Sequence, residues 1–330
     1  MKPMMSILSL IALCIASGCS SSQSALDVHG APAIHLRQLM MGFIGVCGGV
    51  WILVMMTLAY ALLRSRRLDG PPASGRRSVI VVTTAVGATA VIIAALTLAS
   101  FYTTRAIGGQ HSDEIAITVK GEQWWWRVKY ANSDPALAFE TANEIHIPVG
   151  INVRLRLESA DVIHSFWVPS LAGKQDLVPG RNNTLFIRAE RPGVYRGQCA
   201  EFCGLQHSHM AVLVIADDEA AYRHWLTVQR ADGVPTLNSE VSAGRRVFLA
   251  KPCAACHSVR GTAAKGRTGP DLTHVGSRQA IAAGLVELTR GSLAAWIADP
   301  QTLKPGNNMP MVPLTSDELR QVSLYLESLK

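Results

Sequence analysis

The stretch CAEFCGLQHSHM, residues 199–210, places Cys199, Cys203, His207, His209 and Met210 around Glu201 within a single loop-sized segment. A second cluster, CAACH, occupies residues 253–257. C-x-x-C-H is the attachment sequence of a c-type haem: the thiols of Cys253 and Cys256 add to the haem vinyl groups, and His257 ligates the iron. A redox dithiol would need a thioredoxin-like βαβ context, whereas the residues around CAACH follow a helical pattern. The second axial ligand is expected from KPGNNMPMVP, where Met309 is the preferred sulfur and Met311 the alternative. A thioether in that position raises the reduction potential. In TGPDL the carbonyl of Pro270 is placed to accept from the imidazole of His257.

Thiolate, imidazole and thioether donors together select copper among the common metals. A blue copper ion takes one cysteine, two histidines and a weak methionine. Residues 199–210 hold two cysteines, which could bridge two copper ions, and a further histidine, His164, stands upstream in DVIHSFWVP. Two cysteines and two histidines also satisfy zinc, although zinc leaves Met210 without a role. A close cysteine pair outside the cytoplasm can instead form a disulfide. On the residues alone all three readings stand.

These residues need scaffolds of different kinds. The chain has 330 residues, enough for two or three domains. Its hydrophobic excess lies near the N-terminus, where residues 39–63 and 78–104 carry no charge. Each run exceeds the ~20 apolar residues that cross a bilayer. Between them RSRRLDGPPASGRR sets Arg64, Arg66, Arg67, Arg76 and Arg77 against Asp69 alone. Short arginine-rich loops stay cytoplasmic, which puts the chain after Tyr102 on the outer side. Residues 1–19, apolar after Lys2 and followed by serines, read as a lipoprotein-type signal with Cys19 as lipid site, although Ala16 stands where leucine is usual.

The net charge of +7 is uneven. Residues 1–110 hold 8 basic and 2 acidic side chains, residues 111–220 hold 10 and 14, and residues 238–330 hold 11 and 7. The membrane-flanking arginines therefore set much of the basicity, and no nucleic-acid partner is expected. From about residue 115 to 215, IAITVKG, NVRLRLE and NTLFIRAE alternate with period two, and PVGIN, VPGRNN and RPGVY supply turns. That pattern predicts a β-sandwich. MAVLVIADDEAAYRHWLTVQR adds a last strand and a helix capped by Asp217 or Asp218. Residues 231–238 read as a linker. SEVSAGRRVFLA, capped by Ser239, then GSLAAWIAD and SDELRQVSLYLESL predict a small helical domain.

The chain resembles subunit 2 of a haem–copper cytochrome c oxidase, of the kind with a cytochrome c domain fused at its C-terminus. The resemblance covers residues 25–330 and rests on GEQWWWRVKY, DVIHSFWVPSLAGKQDLVPGR, GVYRGQCAEFCGLQHSHM, CAACH and LKPGNNMP. It implies a multidomain fold: a two-helix transmembrane hairpin (20–110), a cupredoxin-like all-β sandwich (111–230) and an all-α cytochrome c domain (238–330). It implies a binuclear copper centre with His164, Cys199, Cys203, His207 and Met210 as side-chain ligands and Glu201 ligating through its backbone carbonyl. The Glu201 side chain is implied to hold a magnesium ion shared with subunit 1. Trp124 corresponds to the ring through which an external cytochrome hands over electrons. Trp125, Trp126 and His209 read as packing or surface residues.

The resemblance implies a non-catalytic redox subunit of a proton-translocating respiratory oxidase. Electrons would pass from covalent haem c to the dicopper centre and on to a separate subunit that reduces oxygen to water; neither apolar span holds a histidine to ligate a haem. The expected partners are oxidase subunits 1 and 3, an external c-type cytochrome or bc-type complex as donor, and membrane lipid. The expected location is the bacterial inner membrane, multi-pass, with the sandwich and cytochrome domain in the periplasm or cell exterior. The rival readings are the corresponding subunit of a nitric oxide reductase and, in a different class, a membrane-tethered copper carrier. A fused haem argues against the carrier. The second span lacks the glutamate that family members often carry near a proton pathway, which leaves a role in proton uptake without support.

Overall fold

The structure, a computed structural model, describes residues 23–64, 75–108, 114–233 and 238–330. The signal with Cys14 and Cys19, most of the arginine-rich loop and linker residues 234–237 lie outside the described residues. Helix α1 spans Ala31–Arg64 and α2 spans Gly75–Ile107, enclosing both charge-free runs. Both are long and apolar enough to cross a membrane. Trp51, Leu63 and Val91 are among many large apolar side chains exposed on them, and water is a poor solvent for such a surface.

The sandwich is built from ten strands: β1 Glu114–Glu122, β2 Trp125–Tyr130, β3 Phe139–Ala142, β4 Glu144–Pro148, β5 Asn152–Ser159, β6 His164–Trp167, β7 Gln175–Leu177, β8 Asn183–Ile187, β9 Gly193–Cys199 and β10 Ala211–Asp217. They form two five-stranded sheets ordered β3-β2-β1-β5-β8 and β4-β10-β9-β6-β7. Alternation decides which side chains face in. In β5, Val153, Leu155 and Leu157 are buried, while Arg154 and Arg156 between them are exposed. The Pro-Gly turns predicted at residues 148–150 and 179–180 place Gly150 and Gly180 at φ 77°, where a glycine meets no Cβ penalty.

Strand β10 is buried along most of its length because it pairs on both edges, with β4 and β9. Helix α3, Glu219–Arg230, follows it directly, with Asp218 rather than Asp217 as its cap. Its Trp225 stacks on His146, whose Nδ1 lies 2.7 Å from Asp217 Oδ2.

The helical domain has its own core, including Val241, Phe248, Leu293, Ile297, Val322 and Tyr325. It contains α4 Ser239–Ala250, α5 Cys253–Cys256, α6 Arg290–Ala298, α7 Pro300–Leu303 and α8 Ser316–Ser328. The caps of α4, α6 and α8 are Asn238, Thr289 and Thr315, so Ser239 is the first helical residue rather than the cap. Asn238 accepts from Val241 N through its side chain and so takes the capping bond from its neighbour. Helix α4 crosses α8 at Gly244, where a Cβ would lie 2.0 Å from Gln321 O.

Candidate metal centres

Residues 199–210 leave the end of β9 and return as β10, and Cys199 N donates to Met210 O at 2.9 Å, closing the loop at its base. This hairpin folds Cys199 and Cys203 back on each other, with their Sγ atoms 3.7 Å apart, far beyond the ~2.05 Å of a disulfide. His164 begins β6, two residues before the β6–β9 pairing at Phe166 and Cys199, so its Nδ1 reaches 3.9 Å from Cys199 Sγ. His207 Nδ1 lies 3.6 Å and Met210 Sδ 4.0 Å from Cys203 Sγ. The Glu201 carbonyl lies 3.2 Å from Cys199 Sγ. Each sulfur therefore has its own imidazole, and Cys199, Cys203, His164 and Met210 are all buried.

The electrostatics of the pair follow from that geometry. The hydrogen bond between the two cysteine sulfurs outweighs burial and holds the Cys199 pKa far below the usual thiol range. The same bond pushes Cys203 upward. For His164, burial opposes the charged form, but its bonds to Cys199 and Asp161 outweigh that cost and raise its pKa.

Several residues that support these donors were not singled out from sequence. Asp161 Oδ1 lies 2.8 Å from His164 Nε2 and fixes the ring by its far nitrogen. A carboxylate three residues before a ligand-type histidine is the signal that could have revealed it. Gly121 leaves room for the same ring: a Cβ there would lie 2.7 Å from His164 Cδ2. Gln123 Nε2 and Trp124 Nε1 both donate to Cys203 O, at 2.7 and 2.9 Å. Of the tryptophan run, Trp126 is fully buried and packs edge-on against His164 and Phe166, Trp125 lies under the Arg127 guanidinium, and Trp124 is half-buried. His209 Nδ1 is held by Gln206 Oε1 at 2.8 Å, on the rim of the site. The Glu201 carboxylate is exposed and 3.4 Å from Lys174 Nζ.

In the helical domain, Cys253 and Cys256 occupy the two ends of the single-turn helix α5, with His257 as its cap. Both thiols are half-buried and free. His257 Nδ1 lies 2.8 Å from Pro270 O, which orients the ring and commits Nε2 to any metal. Gly269 lies flat against this ring; a Cβ there would fall 2.6 Å from Cε1. Burial lowers the His257 pKa despite the Pro270 bond, favouring the neutral imidazole that ligates metals. Gln301 Nε2 donates to Met309 O, and Met309 N donates to Asn307 Oδ1, so its backbone is pinned. Met309 is half-buried, whereas Met311 is 59% exposed.

The donor sets fit the groups their chemistry implies. Two thiols, two imidazoles, a thioether and a carbonyl exceed the four ligands of a structural zinc ion and match a pair of coppers. Paired thiols next to an oriented histidine, with a pinned methionine further along, match a covalent haem.

The family profile described as "Cytochrome C oxidase subunit II, periplasmic domain" matches residues 133–217, and that described as "Cytochrome c" matches residues 241–330. Cytochrome c oxidase subunit 2 of Alkalihalophilus pseudofirmus is 40% identical over 217 residues, covering 66% of this chain and 61% of the relative. That of Bacillus subtilis is 32% identical over 235 residues, covering 68% and 64%. The chain spans less than two thirds of the length of either relative. Among solved structures, the periplasmic domain of subunit II of cytochrome oxidase of Bradyrhizobium japonicum is 28% identical, covers 35% of this chain and 93% of that chain, and gives a TM-score of 0.33.

Proposed function

Because the chain belongs to the cytochrome c oxidase subunit II family and carries a cytochrome c domain behind the sandwich, we propose that electrons enter a respiratory oxidase through it. The observation that carries this reading is the convergence of His164, Cys199, the Glu201 carbonyl, Cys203, His207 and Met210 on one sulfur pair. A pair of coppers held by these donors would supply a one-electron centre whose charge is shared over two ions, so that a change of one electron would demand little rearrangement. The chain's own residues supply the rigidity. Asp161 fixes the outer nitrogen of His164, Gly121 gives that ring its space, and the Cys199 N–Met210 O bond closes the loop.

Cys253 and Cys256 would hold a haem c, with His257 and Met309 as the iron's ligands, and the group would supply a one-electron carrier in the same chain. Pro270 orients His257, and Gln301 with Asn307 holds the methionine loop. The proposal extends to the rest of the assembly. Subunits 1 and 3 complete the oxidase in the bacterial inner membrane, a c-type cytochrome or bc-type complex is the donor, and a magnesium ion sits on the exposed Glu201 carboxylate at the boundary with subunit 1. Cys19 carries lipid.

Metal analysis of the purified membrane complex tests the central claim, with two coppers and one iron expected per copy of this chain. Cys199→Ser and Cys203→Ser should each remove the copper signature and leave the covalent haem. One zinc in place of copper sinks the assignment.

A further inference from the structure

We propose that Lys304 is a positioning residue that fastens the haem-binding domain onto the copper-binding end of the sandwich, over Trp124. The inference rests on the dicopper and haem reading of the two ligand sets. Lys304 precedes the Pro-Gly turn of the Met309 loop and is 3% exposed. Its Nζ donates to Trp124 O at 2.8 Å, His209 O at 2.7 Å and Ala282 O at 2.9 Å. An ammonium has three N–H donors and no acceptor, so every donor is used. A buried cation is tolerated only when satisfied in this way. The three carbonyls join separate pieces of chain. Trp124 donates to the Cys203 carbonyl, His209 stands next to Met210, and Ala282 belongs to the helical domain.

The segment that offers the third carbonyl is shaped for this contact. Ala282, Ala283 and Gly284 have φ of 55°, 61° and 75° in succession. Alanine in the left-handed region is disfavoured by its Cβ and persists only where surroundings impose it. The result is three successive carbonyls turned to three donors: Lys304 Nζ, Ala211 N at 3.0 Å and the Arg196 guanidinium at 3.3 Å. Beside them the buried Glu144 of β4 accepts from Gln279 N and Ala280 N, at 2.6 and 3.2 Å.

This docking covers the ring expected to meet an external cytochrome. The Trp124 indole points its nitrogen at the Cys203 carbonyl and turns its opposite rim to Gly306, where a Cβ would lie 3.8 Å from Cη2. Gln206 Nε2 adds a bond to Pro305 O at 2.7 Å. The fused domain therefore occupies the position at Trp124, and an arriving donor meets that domain first.

Lys304→Met keeps an unbranched side chain one atom shorter and removes its donors. In the purified full chain, hydrogen exchange at the amides of Ala211, Gln279 and Ala280 should quicken about ten-fold, equivalent to ~1.4 kcal/mol of lost docking. Oxidative footprinting of Trp124 should rise with it. Haem and copper spectra, and exchange at the core amides of Val322 and Tyr325, should not change. Unchanged exchange at the three interface amides overturns the proposal, as does acceleration that extends equally to the α8 core. If Lys304→Met does not accumulate with haem, Arg196→Met must give the same local pattern, and its failure to do so is equally decisive. Metal analysis of the parent separates the two levels: missing copper or iron defeats the proposed function, whereas the amide pattern reports docking alone.

Discussion

At the scale of single residues, the two ligand sets differ in how much of their support is local. The loop 199–210 brings four side-chain donors in one stretch, which made it legible in sequence. His164 comes from another strand, and its role depends on pairing between β6 and β9. Asp161 makes that role exact in orientation by holding Nε2 at 2.8 Å. Removing such an outer partner typically weakens metal binding about 10–100-fold. Asp161→Ala is therefore expected to lower copper affinity by that factor, measured by competition with a chelator, with the haem spectrum unchanged. Met309 and Met311 form a second contrast. Met309 is half-buried on a pinned backbone and Met311 is exposed. Met309→Ala should lose the methionine-to-iron charge-transfer band and lower the haem potential, while the haem stays attached through Cys253 and Cys256. Met311→Ala should keep the band; the reverse pattern would move the ligand two residues along.

At the scale of elements, alternation and turn chemistry were enough to read β1, β5, β8 and β10 and the longer helices of the exported part, because both are local signals, whereas strands as short as β3, β6 and β7 hold too few residues to show a period of two. The helix caps slipped by one or more residues. Asn238 takes the capping bond from the adjacent Ser239, and neighbouring polar residues compete for a cap on terms set by backbone angles rather than composition. The interface between the sandwich and the helical domain was not legible at all. Its partners are mostly backbone carbonyls and amides, and the left-handed run at residues 282–284 begins with two alanines that carry no turn signature. Gly244 was equally silent, since a glycine inside a helix reads only as a weakness. In the structure it is the contact that lets α4 meet α8, with Gln321 O 2.0 Å and Tyr325 Cβ 2.8 Å from where a Cβ would stand. Gly244→Ala forces the helices apart, and overpacking of this kind costs about 1–3 kcal/mol. Thermal unfolding of the haem-loaded chain should show a lower Tm, with the copper loop unaffected.

At the scale of the whole molecule, surface chemistry divides the chain into a lipid-facing part and a water-facing part. Helices α1 and α2 present apolar side chains such as Trp51, Leu63 and Val91 outward, a surface that water solvates poorly. The sandwich and helical domain enclose their apolar residues in two cores instead. Each of the two helices is long and apolar enough to cross a membrane, and the arginines around their connection bear on which way they would do so. Arg64, Arg66, Arg67, Arg76 and Arg77 stand within fourteen residues against Asp69 alone, an imbalance that retains a short loop on the cytoplasmic side. A reporter enzyme fused after Arg67 should therefore show cytoplasmic activity, and one fused after Lys330 should show activity on the outer side. Exchanging those five arginines for glutamines should weaken this bias, producing mixed orientations and reducing the yield of copper- and haem-loaded protein, because covalent haem attachment and copper loading are expected only where the exported domains reach the outer side. A Lys330 fusion that reports cytoplasm in the parent chain would overturn the orientation and, with it, the outward placement of both metal sites.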